Sequence, residues 1–98
     1  MYAIVTRRKM NAARQQETIT RAASEFLPKL RQAPGFVSFT LVQGEDGVNT
    51  AVVLFESKDQ AVAFQQGGQA WQRTLEEFGH QLEVRDSGEV TQHVTAQG

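Results

Sequence analysis

The stretch that decides the fold is Pro34-Gly35-Phe36-Val37-Ser38-Phe39-Thr40-Leu41-Val42-Gln43, followed by Gly44-Glu45-Asp46-Gly47-Val48-Asn49 and then Thr50-Ala51-Val52-Val53-Leu54-Phe55-Glu56-Ser57. It reads as a β-hairpin, with strands from Phe36 to Gln43 and from Thr50 to Glu56 joined through the polar, Gly-containing segment Gly44 to Asn49. Alternation along an extended chain puts Phe36 and Val42 on one face of the first strand and Val37, Phe39 and Leu41 on the other. On the second strand Val52 and Leu54 oppose Ala51, Val53 and Phe55. Both faces are therefore apolar, unlike those of a hairpin wet on one side, and each face needs a cover.

Working outward, 98 residues fit one compact domain spanning 1–98. Ten Lys and Arg against eleven Asp and Glu leave a net charge of -1, without the basic excess that neutralises phosphates, so no nucleic-acid partner is expected. The absence of cysteine excludes a disulfide framework, a thiol nucleophile and Cys-ligated metal centres. Met1 to Val5 turns charged at Arg7-Arg8-Lys9, too short for the apolar core of a signal peptide, and no later stretch reaches membrane-span length. The expected compartment is the cytoplasm, with no membrane partner.

In chain order, Tyr2 to Lys9 reads as a central strand. Asn11 is a helix N-cap, followed by Ile19, Ala22, Ala23, Phe26, Leu27 and Leu30 at helical spacing. Pro28 falls inside that pattern and predicts a kink or a loosened turn. After the hairpin, Ser57 and Gln60 have capping-box spacing, so a second helix starts at Lys58. Gly67-Gly68 breaks it, because each glycine costs about 1 kcal/mol relative to alanine inside a helix. Gln69 to Phe78 resumes, and Gly79 is its C-cap. Leu82 to Arg85 is a short strand, Asp86-Ser87-Gly88 a turn or bulge, and Glu89 to Thr95 a last strand carrying Val90, His93 and Val94.

The resulting order, β-α-β-β-α-β, predicts an α+β, ferredoxin-like fold: a four-stranded antiparallel sheet with both helices on one face, because right-handed crossovers deliver them to the same side. The other face is left open, and a second copy packed sheet against sheet is its simplest cover.

A short apolar first strand, Leu27-Pro28-Lys29-Leu30-Arg31 then Pro34-Gly35-Phe36, Leu54-Phe55-Glu56-Ser57 before Lys58, and an interrupted second helix together resemble the antibiotic biosynthesis monooxygenase family of the dimeric α+β barrel superfamily. The likeness runs over nearly the whole chain. It implies a homodimer whose sheets close a barrel, and a small-molecule pocket between sheet and helices. It also implies a monooxygenase that acts on electron-rich aromatics or quinols with no cofactor, neither metal nor flavin. The haem-degrading branch of the family is not matched: its helix Trp falls on Phe64, its His near Thr74 and its first-strand Asn near Thr6 or Arg7. The polar and aromatic substrate-holding positions of the second helix fall near Gln60, Phe64 and Trp71.

On this reading Phe55, Phe64, Trp71 and Phe78 line the pocket and Gly67-Gly68 borders its mouth. His80 assists deprotonation and Arg7 binds an anionic group. Each has an ordinary alternative. Trp71, Leu75 and Phe78 form a helix stripe of the kind that faces a core. A histidine at a helix C-terminus, as His80 is, is commonly a cation beside terminal carbonyls. Arg7 and Arg8 point to opposite faces of their strand, and the inward one needs a partner, Glu56 or Glu83 being the candidates. Glu76-Glu77 reads as a solvated helix face. The two histidines have no ligand-spaced companions, so no metal site is expected. No Ser-His-Asp order or phosphate loop is present. Against the enzyme stands one other class, a small-molecule-binding or stress-related dimer with the same fold and no catalysis.

Overall fold

The computed structural model describes residues 1–97. Its centre is strand β1, Tyr2–Lys9, which pairs antiparallel with β3, Val48–Phe55, on one side and with β4, Gln81–Glu89, on the other. Strand β2, Phe36–Gln43, completes the four-stranded sheet in the order β2-β3-β1-β4. The ferredoxin-like α+β fold expected from the element order is the one formed. Ile4, Val53 and Phe55 turn to one side, where Leu30 and Ala61 of the helices close the core over them.

The hairpin is tighter than its sequence suggests. Gly47 N–H donates to Gly44 C=O at 3.2 Å and Gly44 N–H to Val48 C=O at 3.0 Å, so the turn closes within Gly44–Gly47 and Val48 and Asn49 join the strand. Gly47, at φ 82°, supplies the left-handed residue such a turn requires. The parity of the first strand also needs correcting. A bulge between Phe36 and Ser38 leaves Val37 unpaired and brings Phe36 opposite Phe55. Their rings meet edge-on on the helix side, 6.2 Å between centroids. The open face of β2 therefore carries Ser38, Thr40 and Val42, and is more polar than strict alternation predicts.

The first helical arm is segmented. A 3-10 turn, Ala12–Arg14, is capped by Asn11, whose side chain accepts from Ala13 N–H. Helix α1, Gln15–Arg21, a π-helical turn, Ala22–Phe26, and helix α2, Leu27–Gln32, follow without a gap. Leu27 N–H donates to Ala22 C=O, one residue further back than in an α-helix. Pro28 thus enters at the start of α2, and the loosening expected at Pro28 is a wide turn just ahead of it.

The second arm is broken where the two glycines stand: α3 is Lys58–Gly67 and α4 is Gln69–Glu77. Ser57 Oγ caps α3 by accepting from Gln60 N–H at 3.3 Å and donates to Gln60 Oε1 at 3.1 Å. That side chain presses on Gly35, where φ is 79° and an added Cβ would come within 2.0 Å of Gln60 Oε1.

The C-terminal expectation is revised most. Asp86, Ser87 and Gly88 form no turn; they pair with Val5, Ile4 and Ala3, so β4 runs unbroken through them. The irregularity lies earlier, between the partners of Arg7 and Arg8. Beyond Glu89, Val90 N–H reaches Met1 C=O at 2.9 Å, and residues 91–97, His93 and Val94 among them, lie outside the ladder. No described helix is long and apolar enough to cross a membrane.

Candidate active site

The register lays four rows of side chains across the helix-facing side of the sheet. The first is Phe36, Phe55, Tyr2 and Glu89, the second Phe39, Val53, Ile4 and Ser87, the third Leu41, Ala51, Thr6 and Arg85, and the fourth Gln43, Asn49, Arg8 and Leu82. The rows grade from aromatic to polar. Between helices and sheet lies a cavity of about 760 Å³ floored by residues of the second to fourth rows. That volume is in the range of sites for small organic ligands.

Its roof comes from the two irregular arms. The wide turn contributes Ala22 and Phe26, and the broken arm contributes Phe64, Gly68, Trp71 and Gln72. Phe26 stacks on Trp71, 5.6 Å between centroids and 17° between planes. It also meets Phe39 and Phe64 edge-on at 5.7 and 6.2 Å. These rings make an aromatic wall with one flat indole surface, suited to a planar ligand.

The opposite end is cationic. Arg8 is 7% exposed. Its Nη2 donates to Gln72 Oε1, and Arg85 Nη2 donates to the same oxygen at 3.3 Å. Burial, then the neighbouring Arg85, pull the Arg8 pKa below its ordinary value, and Glu76 opposes them. Among the described residues, Arg8 Nη1 and Asn49 Oδ1, on facing residues of the fourth row, are buried with no hydrogen-bond partner. The carboxylate expected beside the inward arginine is absent: the ion pairs among the described residues are Arg14–Glu17 and Arg21–Glu25 on the first arm.

Of the residues singled out from sequence, Phe64 and Trp71 line the cavity. Phe55 does not; it is fully buried core between Phe36 and Phe64. Phe78 is buried behind the cavity, with the Arg14 guanidinium 3.8 Å over its ring. Arg7 is exposed on the open face opposite Thr50 and Val84, and its neighbour Arg8 holds the inward position. Gln60 lies in a separate outer groove, and Gly68 borders both that groove and the cavity.

His80 also stands apart, 1% exposed and outside the cavity lining. Its Nδ1 accepts from Asn11 N–H at 2.9 Å, and its Nε2 lies 2.6 Å from Thr18 Oγ1. That hydroxyl donates to Arg14 C=O at 2.8 Å, so the ring proton belongs on Nε2, donated to Thr18. Burial, then Arg8 and Arg14, lower the His80 pKa. With its one lone pair already engaged, the ring has none to offer a substrate. His80 fastens the end of the second arm to the start of the first.

Sequence reasoning missed Gln72, Asn49, Arg85 and Phe26. Parity held a signal for one arginine: Ile4, Thr6 and Arg8 alternate together, so an inward Ile4 implies an inward Arg8. Among the described residues no cluster of His, Asp and Glu is arranged to hold a metal ion.

No family model and no curated protein matches the sequence. Solved structures do match in fold. A protein from Deinococcus radiodurans, provisionally assigned as an antibiotic biosynthesis monooxygenase, superposes with a TM-score of 0.79 at 11% identity over 100% of both chains. SnoaB from Streptomyces nogalater, a cofactor-independent oxygenase, gives 0.74 at 18% identity over 95% of each chain. A dimeric ferredoxin-like protein from an uncultured marine organism gives 0.75 at 13% identity, covering 97% of this chain and 99% of its own.

Proposed function

We propose that this chain is a cofactor-independent monooxygenase for an activated planar aromatic, a phenol, anthrone or quinol, bound between Trp71 and the sheet. The observation that carries the reading is the cavity itself: an aromatic wall of Phe26, Phe39, Phe64 and Trp71 that runs into a cationic end. The fold shared with SnoaB, itself a cofactor-independent oxygenase, supports the same class.

The chemistry asks little of the protein beyond this setting. Among the described residues that line the cavity, Arg8, Arg73 and Arg85 stand against Glu76 alone, and their positive balance favours the ionised form of a bound phenol or enol. The apolar wall holds the ring and keeps water from it. The ionised substrate, its proton lost to solvent, passes an electron to O2 and the two radicals combine at the ring carbon; the peroxide regains a proton from solvent, and the hydroperoxide loses water together with the hydrogen of that carbon. One oxygen atom ends in the product carbonyl and the other in water. His80 takes no part.

Oxygen uptake by chelator-treated protein with dithranol, an anthrone, tests the proposal. Saturable uptake above the uncatalysed rate, reduced tenfold or more by Trp71→Ala, is expected; uptake no faster than in buffer across anthrones and quinols overturns it.

The active unit on this reading is a homodimer formed through the open sheet face. Val42 and Val84 stand 54% and 44% exposed there, in one row with Thr50 and Arg7, and the marine relative of this fold is dimeric. Apolar strand residues left in water are a reason to associate.

A further inference from the structure

We infer that the corner formed by Arg8, Gln72 and Arg85 is a carboxylate subsite, and that the ligand is an aromatic acid whose ring lies against Trp71 while its carboxylate takes the place of the Gln72 amide oxygen. The inference borrows from the oxygenase reading only the planar aromatic body.

Two guanidinium groups converge here on one neutral oxygen, Gln72 Oε1. Like charges brought together in a partly desolvated site repel unless an anion lies between them, and an amide oxygen supplies only a partial charge. Arg8 still has Nη1 to offer, buried and unpartnered among the described residues. Nη1 belongs to the same guanidinium fork whose Nη2 holds Gln72 Oε1, so an anion that replaces that oxygen can present its second oxygen to Nη1. A carboxylate fits that position: two oxygens match the fork of one guanidinium while one of them also reaches the second. Gln72, on the segment that follows the Gly67-Gly68 break, then swings its amide aside. The competing anion is Glu76, which lines the same cavity and acts on Arg8, yet forms no ion pair with it. Arg73 also lines the cavity and adds to the positive balance.

The test compares 2-naphthoate with 2-naphthamide, a neutral molecule of the same shape and inert to oxygen, by calorimetric titration. Naphthoate binding about tenfold or more tighter is expected, with the preference weakened by added salt and lost in Arg8→Gln and Arg85→Gln. Gln72→Glu fills the corner with the chain's own carboxylate. It is expected to keep or raise the melting temperature while losing the naphthoate preference. Equal affinity for the two probes overturns the subsite but leaves the aromatic cavity and the oxygen-uptake test standing. Binding of neither probe, or a naphthoate preference that survives Gln72→Glu, overturns it as well.

Discussion

His80 ties two distant parts of the chain through one protonation state. Its Nδ1 faces a backbone donor, Asn11 N–H, so adding a proton there sets donor against donor. The folded protein holds the His80 pKa below its ordinary value, which makes the unfolded chain the stronger proton binder. Stability is therefore complete above the ordinary histidine pKa, near 6.5, and declines as pH falls from there toward the lowered folded value. The melting temperature is expected to drop between pH 7 and pH 5, and His80→Gln is expected to flatten that drop while lowering the plateau; an unchanged slope in the variant contradicts this account. Sequence alone offered His80 as a base because position after a helix says nothing of what packs on the ring. Phe55 and Phe78 misled in the same way, since an aromatic on a core stripe and one on a cavity wall share the same spacing.

At the scale of elements, the irregularities shape the site. The glycine pair and Pro28 were readable as breaks because each changes backbone chemistry directly. The Val37 bulge and the continuation of β4 through Asp86-Ser87-Gly88 were not, because pairing with a neighbouring strand overrides local turn preference. The two kinds of glycine make opposite predictions in urea denaturation. Gly35→Ala combines a positive φ with a clash against Gln60, and a loss of about 1–3 kcal/mol is expected. Gly67→Ala meets no atom within 4 Å and completes α3, so a gain of up to about 1 kcal/mol is expected. A destabilised Gly67→Ala protein would show that the break itself is needed for folding.

For the whole molecule, the layout of sheet and helices followed from the element order, since few topologies accept β-α-β-β-α-β with right-handed crossovers. The cavity did not, because its size depends on how far the arms stand off the sheet. The open face bears on assembly. A specific interface buries roughly 1,200–2,000 Å² in total, and dimerisation through Val42 and Val84 predicts a melting temperature that rises with protein concentration, with Val84→Lys shifting sedimentation toward the 10.9 kDa chain. A midpoint independent of concentration contradicts the dimer and leaves the cavity argument intact.

The claim that the cavity activates a bound aromatic toward O2 is tested most directly by turnover of an anthrone under 18O2 with chelator-treated protein, followed by mass spectrometry of the quinone. Incorporation of one 18O atom from O2 into the carbonyl, at a rate that saturates with substrate and falls with Trp71→Ala, is the predicted result. Product that carries oxygen from water, or labelled product that forms no faster than without protein, contradicts it.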